Sequence, residues 1–434
     1  MELTPVMQDN STIWHPSSTL MPIDNISVSI TSTGVPYPNI DKSEYLDGLS
    51  NAEATRLLPV MVYLGILMIV GLVGNCLVLY VHFRKFNPST TRTYVVSLAF
   101  FDLLSCLISV PGEIVDLRFS FTFEAVALCK AERFCTTFTS LASGFTLMAV
   151  AVDRFRRICH PLKQQLQTSG ARKVVLGACL LSVLFSWPVI AIYGKRSVDT
   201  EYRLIKGIEC STDDEYRVTK YPAIYTGSLS LIFIISFVTM IVVYTFIGRR
   251  VFQQKKFRKV STSKSLQRSR SLSGSDKMPA SSTSPRPAPE MDRPSYDEGP
   301  SEYSTASIDP HVKDFSLTRK PSFMKRLQKG AQDSRSRKTT FMLFLITMVF
   351  VLSFLPHLVL KGVQAAKRSF PGDASTAALI FYNIFVRSYF LNSISNAFIY
   401  GFCSPRFRKE SKALLQALMC HKRCASLSIS KTKV

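Results

Sequence analysis

Charged residues are scarce in this 434-residue chain, at 19%, and five windows contain none: 57–83, 134–152, 174–194, 221–248 and 339–360. Two more windows, 93–112 and 374–405, hold one each, Asp102 and Arg387. About 20 apolar residues suffice for a helix to cross a bilayer. Charge-free runs of this length exclude an ordinary soluble enzyme, a disordered chain and an outer-membrane barrel. They predict an all-α bundle of seven transmembrane helices, five within 57–248 and two within 339–403. Also absent are a nucleophile paired with a base, metal-ligand spacing and a Gly-rich phosphate loop, so no enzyme is expected. There is no 20–50-residue repeat, and the two halves lack the matched Gly/Pro-broken segments of many transporters. The first 20 residues have no basic stretch followed by an apolar core, so no cleavable signal peptide is expected and the first span serves as its own insertion signal.

Acidic residues are outnumbered, 30 against 53 Lys and Arg, for a net charge of +23. The excess is sorted by side, which argues against nucleic acid as its cause. Segments 84–92, 153–173, 249–338 and 404–434 carry +3, +5, +12 and +7, leaving −4 for everything else. Basic loops stay cytoplasmic, so residues 1–56 are expected outside and the C-terminus inside, in a multi-pass plasma-membrane protein. Two glycosylation sequons, at Asn10 and Asn25, fall in the outer tail.

Few of the ten cysteines can pair. Cys76, Cys106, Cys135 and Cys179 lie in apolar windows, and Cys159, Cys403, Cys420 and Cys424 lie at or beyond the reducing inner face. Cys129 and Cys210 remain, both on the oxidising side, and are expected to bond, pinning the long outer loop over the bundle. Closing the loop between them is worth roughly 4–5 kcal/mol at most.

Residues 1–56 are polar and are expected to be largely disordered. The segment 249–338 is basic and Ser/Pro-rich, so its middle is expected to be a solvated linker, with its ends continuing helices five and six. After helix seven, Phe407, Leu414, Leu415 and Leu418 can share one face opposite Arg406, Arg408, Lys409 and Lys412. That describes an amphipathic helix in the inner membrane interface, followed by candidate palmitoylation sites at Cys420 and Cys424. Basic residues precede Ser261 and Ser322, as in kinase sites, where phosphate would oppose the basic surface and recruit arrestin. Thr432-Lys433-Val434 resembles a ligand for a PDZ groove.

Polar groups at membrane depth are expensive and mark functional sites by default. Helix two carries Asp102, Ser105, Ser109, Glu113 and Asp116 at helical spacing. Helix three carries Arg133, Thr136, Thr137, Ser140 and Ser143, and helix six His357 and Lys361. Helix seven adds Asn383, Arg387, Tyr389, Asn392, Ser393 and Asn396. Four inward stripes imply a wet cavity, which is a ligand site or a permeation path. The deepest group, Asp102, Ser143, Asn392, Ser393 and Asn396, suits a sodium ion or a water-bridged network equally well.

Several strings occur in order along these helices: Gly74-Asn75, Leu98-Ala99-x-x-Asp102, Cys129 with Cys210, Asp153-Arg154-Phe155, Trp187, Tyr244, Phe350, Ser353-Phe354-Leu355-Pro356 and Asn396-Ala397-x-x-Tyr400. Together they resemble the signatures of rhodopsin-like (class A) G-protein-coupled receptors over roughly residues 57–419. The resemblance implies that an agonist in the outer cavity favours a state with helix six swung outward, for which Pro356 supplies a kink. It also implies that Asp153 holds Arg154 at rest. On release, Arg154 meets the Gα C-terminal helix together with Tyr244 and Tyr400. Phe350 and Phe354 are placed to sense repacking near the kink. The chain departs from the family at Ser236 and Ala397, where proline is usual, and both helices are therefore expected to be straighter than usual. Phe354 replaces the usual tryptophan and Phe155 the usual tyrosine.

The ligand class is narrowed by what stands at two family positions. Thr136 occupies the place of the aminergic aspartate, and Phe390 that of the opsin lysine, so neither a monoamine nor retinal is expected. Glu113, Asp116, Arg133, Thr136, Thr137, His357, Lys361, Arg387 and Phe390 are the expected ligand contacts. The outer loop 195–220 holds six basic and six acidic residues, and the runs beginning at Glu201 and Glu215 are expected to pair as a hairpin around Cys210. A wide, polar mouth under a strand lid suits a peptide, and the outer half is similar to cholecystokinin, orexin and invertebrate neuropeptide receptors. A small acidic or lipid ligand is the second reading, and a transporter or channel a remote third.

Overall fold

The computed structural model describes residues 28–30, 36–38, 41–202, 204–272, 323–367 and 374–417. Six continuous stretches are long and apolar enough to cross a membrane: Leu58–Lys85, Thr90–Arg118, Val126–Cys159, Thr168–Ile192, Tyr221–Gln254 and Lys338–Gln364. A seventh is the pair Thr376–Val386 and Ser388–Cys403, bent by 47° at its break. These are helices one to seven. A further helix over 405–417 follows and buries Phe407.

The chain forms two units, Met1–Val251 with Arg335–Val434, and Phe252–Ser334. The first carries the bundle. Within the second, helix five runs on to Leu272 and helix six begins at Phe323, on Lys-, Arg- and Gln-rich sequence that favours helix. Asn10, Asn25, Ser322, Cys420, Cys424 and the last three residues lie outside the described residues, and Ser261 falls on the backbone of the helix-five extension.

The bundle is arranged as a bilayer requires. Val62, Ile66, Ile69 and Val73 of helix one are more than half exposed, whereas Asn75, Asp102, Ser109, Glu113, Ser143 and Asn396 are all buried. Apolar side chains face the lipid because hydrocarbon accepts them, and polar ones turn inward where they find partners. The inner half packs around Tyr94, Leu98, Leu147, Ile346, Phe350 and Tyr400. The outer half packs around Val60, Leu64, Val110, Leu117 and Phe390.

Three expectations from the sequence are corrected. Residues 42–56 are not disordered: Lys42–Arg56 forms a helix whose first turn is capped by the Asp41 carboxylate, accepting from Ser43 N at 2.9 Å. Leu46, Ser50 and Ala54, at intervals of four, face inward. Ser50 Oγ accepts from Phe121 N at 3.2 Å, Tyr45 meets the Tyr202 ring at 5.2 Å, and Arg56 Nη2 donates to Ala374 O at 3.5 Å. This helix thus touches all three outer connections. The outer hairpin also pairs differently, joining Tyr193–Asp199 to Lys206–Thr212, with Lys195 opposite Cys210. The run expected as its second strand instead starts as a helical turn at Asp214–Arg217, because Asp213 caps it, accepting from Glu215 N. Finally, helix seven is not straight. It continues through Ala397, as the restored amide predicts, but breaks ten residues earlier at Arg387.

The Cys129–Cys210 disulfide forms as expected and lies under Phe123. Replacing both cysteines by serine is expected to lower stability by about 2–4 kcal/mol, read as a lower Tm of the purified protein, and to leave the hairpin open to proteases.

Candidate functional site

Helix two does not run evenly. A π-helical turn, Ser105–Ser109, precedes Pro111. Pro111 has no amide hydrogen and its ring crowds the carbonyl four residues back, so the ladder loosens there. Below this turn lies Asp102, 1% exposed, and above it Glu113, 2% exposed. One helix therefore feeds two separate polar layers.

In the outer layer, Glu113 joins three helices. Its Oε1 accepts from Arg133 Nη1 at 2.7 Å, and its Oε2 accepts from Arg387 Nε at 2.8 Å. Arg133 also donates from Nη2 to Asp116 Oδ2 at 2.8 Å and reaches the carbonyl of Cys210 at 3.5 Å, tying the cluster to the disulfide-anchored hairpin. Arg387 donates from Nη1 to Asn383 Oδ1 at 2.6 Å. The buried charges are paired, as a low-dielectric site demands.

A third carboxylate, Glu132, was not anticipated. It is 2% exposed, lies 3.1 Å from Arg133 Nε, and accepts from the Thr136 hydroxyl at 2.9 Å. Its place at the edge of the third apolar window reads as a membrane boundary. The available signal was the four-residue spacing to Thr136, together with Gly112 on helix two. A Cβ at Gly112 would stand 2.2 Å from Glu132 Cγ, so only glycine lets Glu132 close against that helix.

The other expected ligand contacts divide. Asp116, Arg133, Thr136 and Arg387 belong to the ionic cluster, while Thr137 back-bonds to Arg133 O at 2.9 Å. His357 bonds through Nδ1 to Val386 O, a carbonyl freed by the break in helix seven, and Ser388 Oγ donates in return to Ser353 O at 2.6 Å, one turn before Pro356. Helices six and seven are thereby stitched at their two irregular points. Lys361 is exposed and donates to Gln364 at 3.3 Å, outside the cluster. Phe390 is 2% exposed in the outer core against helices one and two.

In the lower layer, Asp102 accepts from Asn396 Nδ2 at 2.6 Å and from Asn392 Nδ2 at 3.5 Å. The Oδ1 atoms of both asparagines are buried with no hydrogen-bond partner among the described residues. A cavity of about 10 Å³ lies beside Asn392, lined also by Asp102, Ser143, Ser393 and Phe354 among others. The oxygen-bearing side chains of Asp102, Ser143, Asn392 and Ser393 around it fit one water or one small hard cation.

Between the layers and the inner face runs a stack of rings. Tyr389 reaches Glu113 Oε1 through its hydroxyl at 3.4 Å and packs on Phe354 at 5.7 Å, and Phe354 packs on Phe350 at 4.7 Å. At the inner face, Asp153 binds Arg154, whose Nη2 also donates to Thr91 Oγ1 at 3.2 Å. Tyr244 instead contacts Thr347 Oγ1 at 3.1 Å. Tyr400 is fully buried, and its hydroxyl has no hydrogen-bond partner among the described residues. A cavity of about 300 Å³ opens there between His82, Arg92, Met342, Tyr400 and Arg406.

Comparison with known proteins bears on this arrangement directly. The model of the 7 transmembrane receptor (rhodopsin family) matches residues 74–400. The chain belongs to the rhodopsin family of seven-transmembrane receptors. Its helices are accordingly those of a multi-pass membrane protein. Among its curated relatives, mouse neuropeptide S receptor is 28% identical over 56% of this chain and 63% of its own length. Human neuropeptide S receptor is 31% identical over 32% of this chain and 37% of its own. Human probable G-protein coupled receptor 19 is 28% identical over 40% and 44%. The chain thus spans about half the length of the curated relatives it matches.

Among the described residues, Glu113 is the one carboxylate that Arg387 pairs with, whereas Arg133 keeps Asp116 and Glu132. Glu113→Gln is therefore expected to destabilise the purified receptor by about 3–5 kcal/mol. Asp116→Asn should cost about 1 kcal/mol, and the two Tm shifts compared in one detergent check the order.

Proposed function

We propose that this chain is a plasma-membrane receptor for an extracellular peptide, and that it passes agonist binding to a heterotrimeric G protein by outward movement of helix six. The carrying observation is the contact of Tyr389 with Glu113 on one side and with Phe354 on the other. A ligand that redistributes the two arginines around Glu113 alters what Tyr389 leans on, and Phe354 lies two residues before the Pro356 kink. An agonist acts here only through its different affinity for the two arrangements. At the inner end, Arg154 bound to Asp153, with Tyr244 turned to Thr347, is the resting state, and the inner cavity is where a Gα segment enters.

Peptide recognition is supported by the chemistry of the outer layer and by the relatives named as neuropeptide S receptors. Paired charges of both signs within one mouth, below a hairpin fixed by the disulfide, match the ends and side chains of a peptide. Glu113, Asp116, Arg133 and Arg387 are its proposed polar contacts, with Thr136 and Thr137 beside them and Lys361 at the rim. Asp102 with Asn392 and Asn396 would hold a sodium ion or a water as a spacer beneath. Glycans at Asn10 and Asn25, palmitate at Cys420 and Cys424, phosphate at Ser261 and Ser322 with arrestin docking, and a PDZ partner for the C-terminus complete the reading.

Expressed receptor, screened with a neuropeptide panel using calcium and cyclic-nucleotide readouts together, is expected to yield an agonist. With that agonist, Arg387→Gln should cost roughly tenfold or more in potency after normalising for surface expression. Activation by an acidic lipid instead of any peptide would replace the ligand class, and solute flux in vesicles lacking G protein would replace the receptor reading.

A further inference from the structure

Arg154 is not the one guanidinium on Asp153. Arg157, one helical turn further on, donates from Nε to Asp153 Oδ2 at 2.9 Å, and Oδ2 is the same oxygen that Arg154 Nη2 binds. The two arginines are held very differently. Arg157 also donates from Nη2 to Thr90 Oγ1 at 3.0 Å and to the Leu166 carbonyl at 3.1 Å, so it is anchored to helix two and to the inner loop before helix four. Arg154 has Thr91 as its further partner, and its Nε is buried with no hydrogen-bond partner among the described residues. Asp153 itself is 4% exposed.

Pulling one partner from a buried ion pair is strongly unfavourable because the remaining charge is left uncompensated. Here that situation does not arise. We infer that Arg157 is a positioning residue that keeps Asp153 paired when Arg154 departs, and so lowers the barrier to releasing Arg154. Arg157 supplies this service without moving, since its three bonds involve neither Arg154 nor helix six. It also fixes the Leu166 end of the inner loop to the same carboxylate, so the loop keeps its anchor in both states. The sign of this assignment differs from that of an ordinary stabilising contact. A residue that only stiffened the resting bundle would raise activity when removed, whereas removing Arg157 makes Arg154 the sole counter-charge and tightens its hold.

The inference rests on the receptor reading for its consequence but not for its first test. In purified full-length receptor, Arg154→Ala is expected to lower Tm only slightly, because Arg157 still pairs Asp153. In the Arg157→Ala background the same change should lower Tm by several degrees more, and in an Asp153→Asn background that extra loss should vanish. Arg157→Lys, which keeps the charge, should restore most of the difference. Additive Tm shifts would overturn the inference. The second test measures binding of nucleotide-free heterotrimers, one from each Gα class, to receptor in nanodiscs. Arg157→Ala should weaken the tightest of them about fivefold or more, and should have no effect once Asp153 is Asn. Unchanged or tighter binding, or an equal loss in both backgrounds, would overturn the hand-over. Coupled Tm shifts with no heterotrimer bound by the parent receptor would leave the hand-over standing and remove the proposed G-protein output.

Discussion

Glu113 carries a full carboxylate at membrane depth, and it survives there because two guanidinium groups, Arg133 from helix three and Arg387 from helix seven, close on its two oxygens. Neither arginine belongs to helix two, so the pairing is a tertiary constraint that fixes three helices against one another. It works only because the backbone yields at two places. Pro111 loosens helix two below Glu113, and the break at Arg387 swings the end of helix seven by 47° so that its side chain points inward. Gly112 completes the fit by leaving room for Glu132 on the facing helix. An unpaired member of this set would be far more costly than the bends that avoid it.

The irregular backbone is itself satisfied by side chains from the neighbouring helix. Val386 loses its place in the ladder and is met by His357, while Ser353, in the turn before Pro356, is met by Ser388. Helices six and seven are thus joined at the points where each backbone is irregular. Tyr389 sits between this stitch and the ionic cluster, in contact with Glu113, His357 and Phe354. Polar bonding above and ring packing below meet at that one side chain, which joins the ionic cluster to the aromatic stack before the kink in helix six.

The inner face uses the same principle with opposite parity. Outside, one carboxylate is shared by arginines from two helices. Inside, Asp153 is shared by two arginines of its own helix, one firmly anchored and one with an idle donor. Sharing in the first case locks helices together, and in the second it leaves one partner free to go.

Much of this was legible in the residues themselves. Charge-poor windows defined seven spans, and compartment left Cys129 and Cys210 as the pair, because insertion and oxidation depend on local composition. The positions of Asp102, Glu113 and Arg387 as buried polar residues, and of Arg133 as a partly buried one, followed from helical spacing for the same reason. Their partners did not, since which guanidinium reaches which carboxylate depends on bends at Ser105–Ser109 and Arg387 that no periodicity records. Glu132 was hidden at a window's edge, the outer helix Lys42–Arg56 had too mixed a face to announce its burial, and the hairpin took Tyr193–Asp199 as its partner strand. Composition determined which segments are apolar enough to enter a membrane. Only packing decided how the buried charges are divided, because an ion pair is chosen by distance in space and not by separation along the chain.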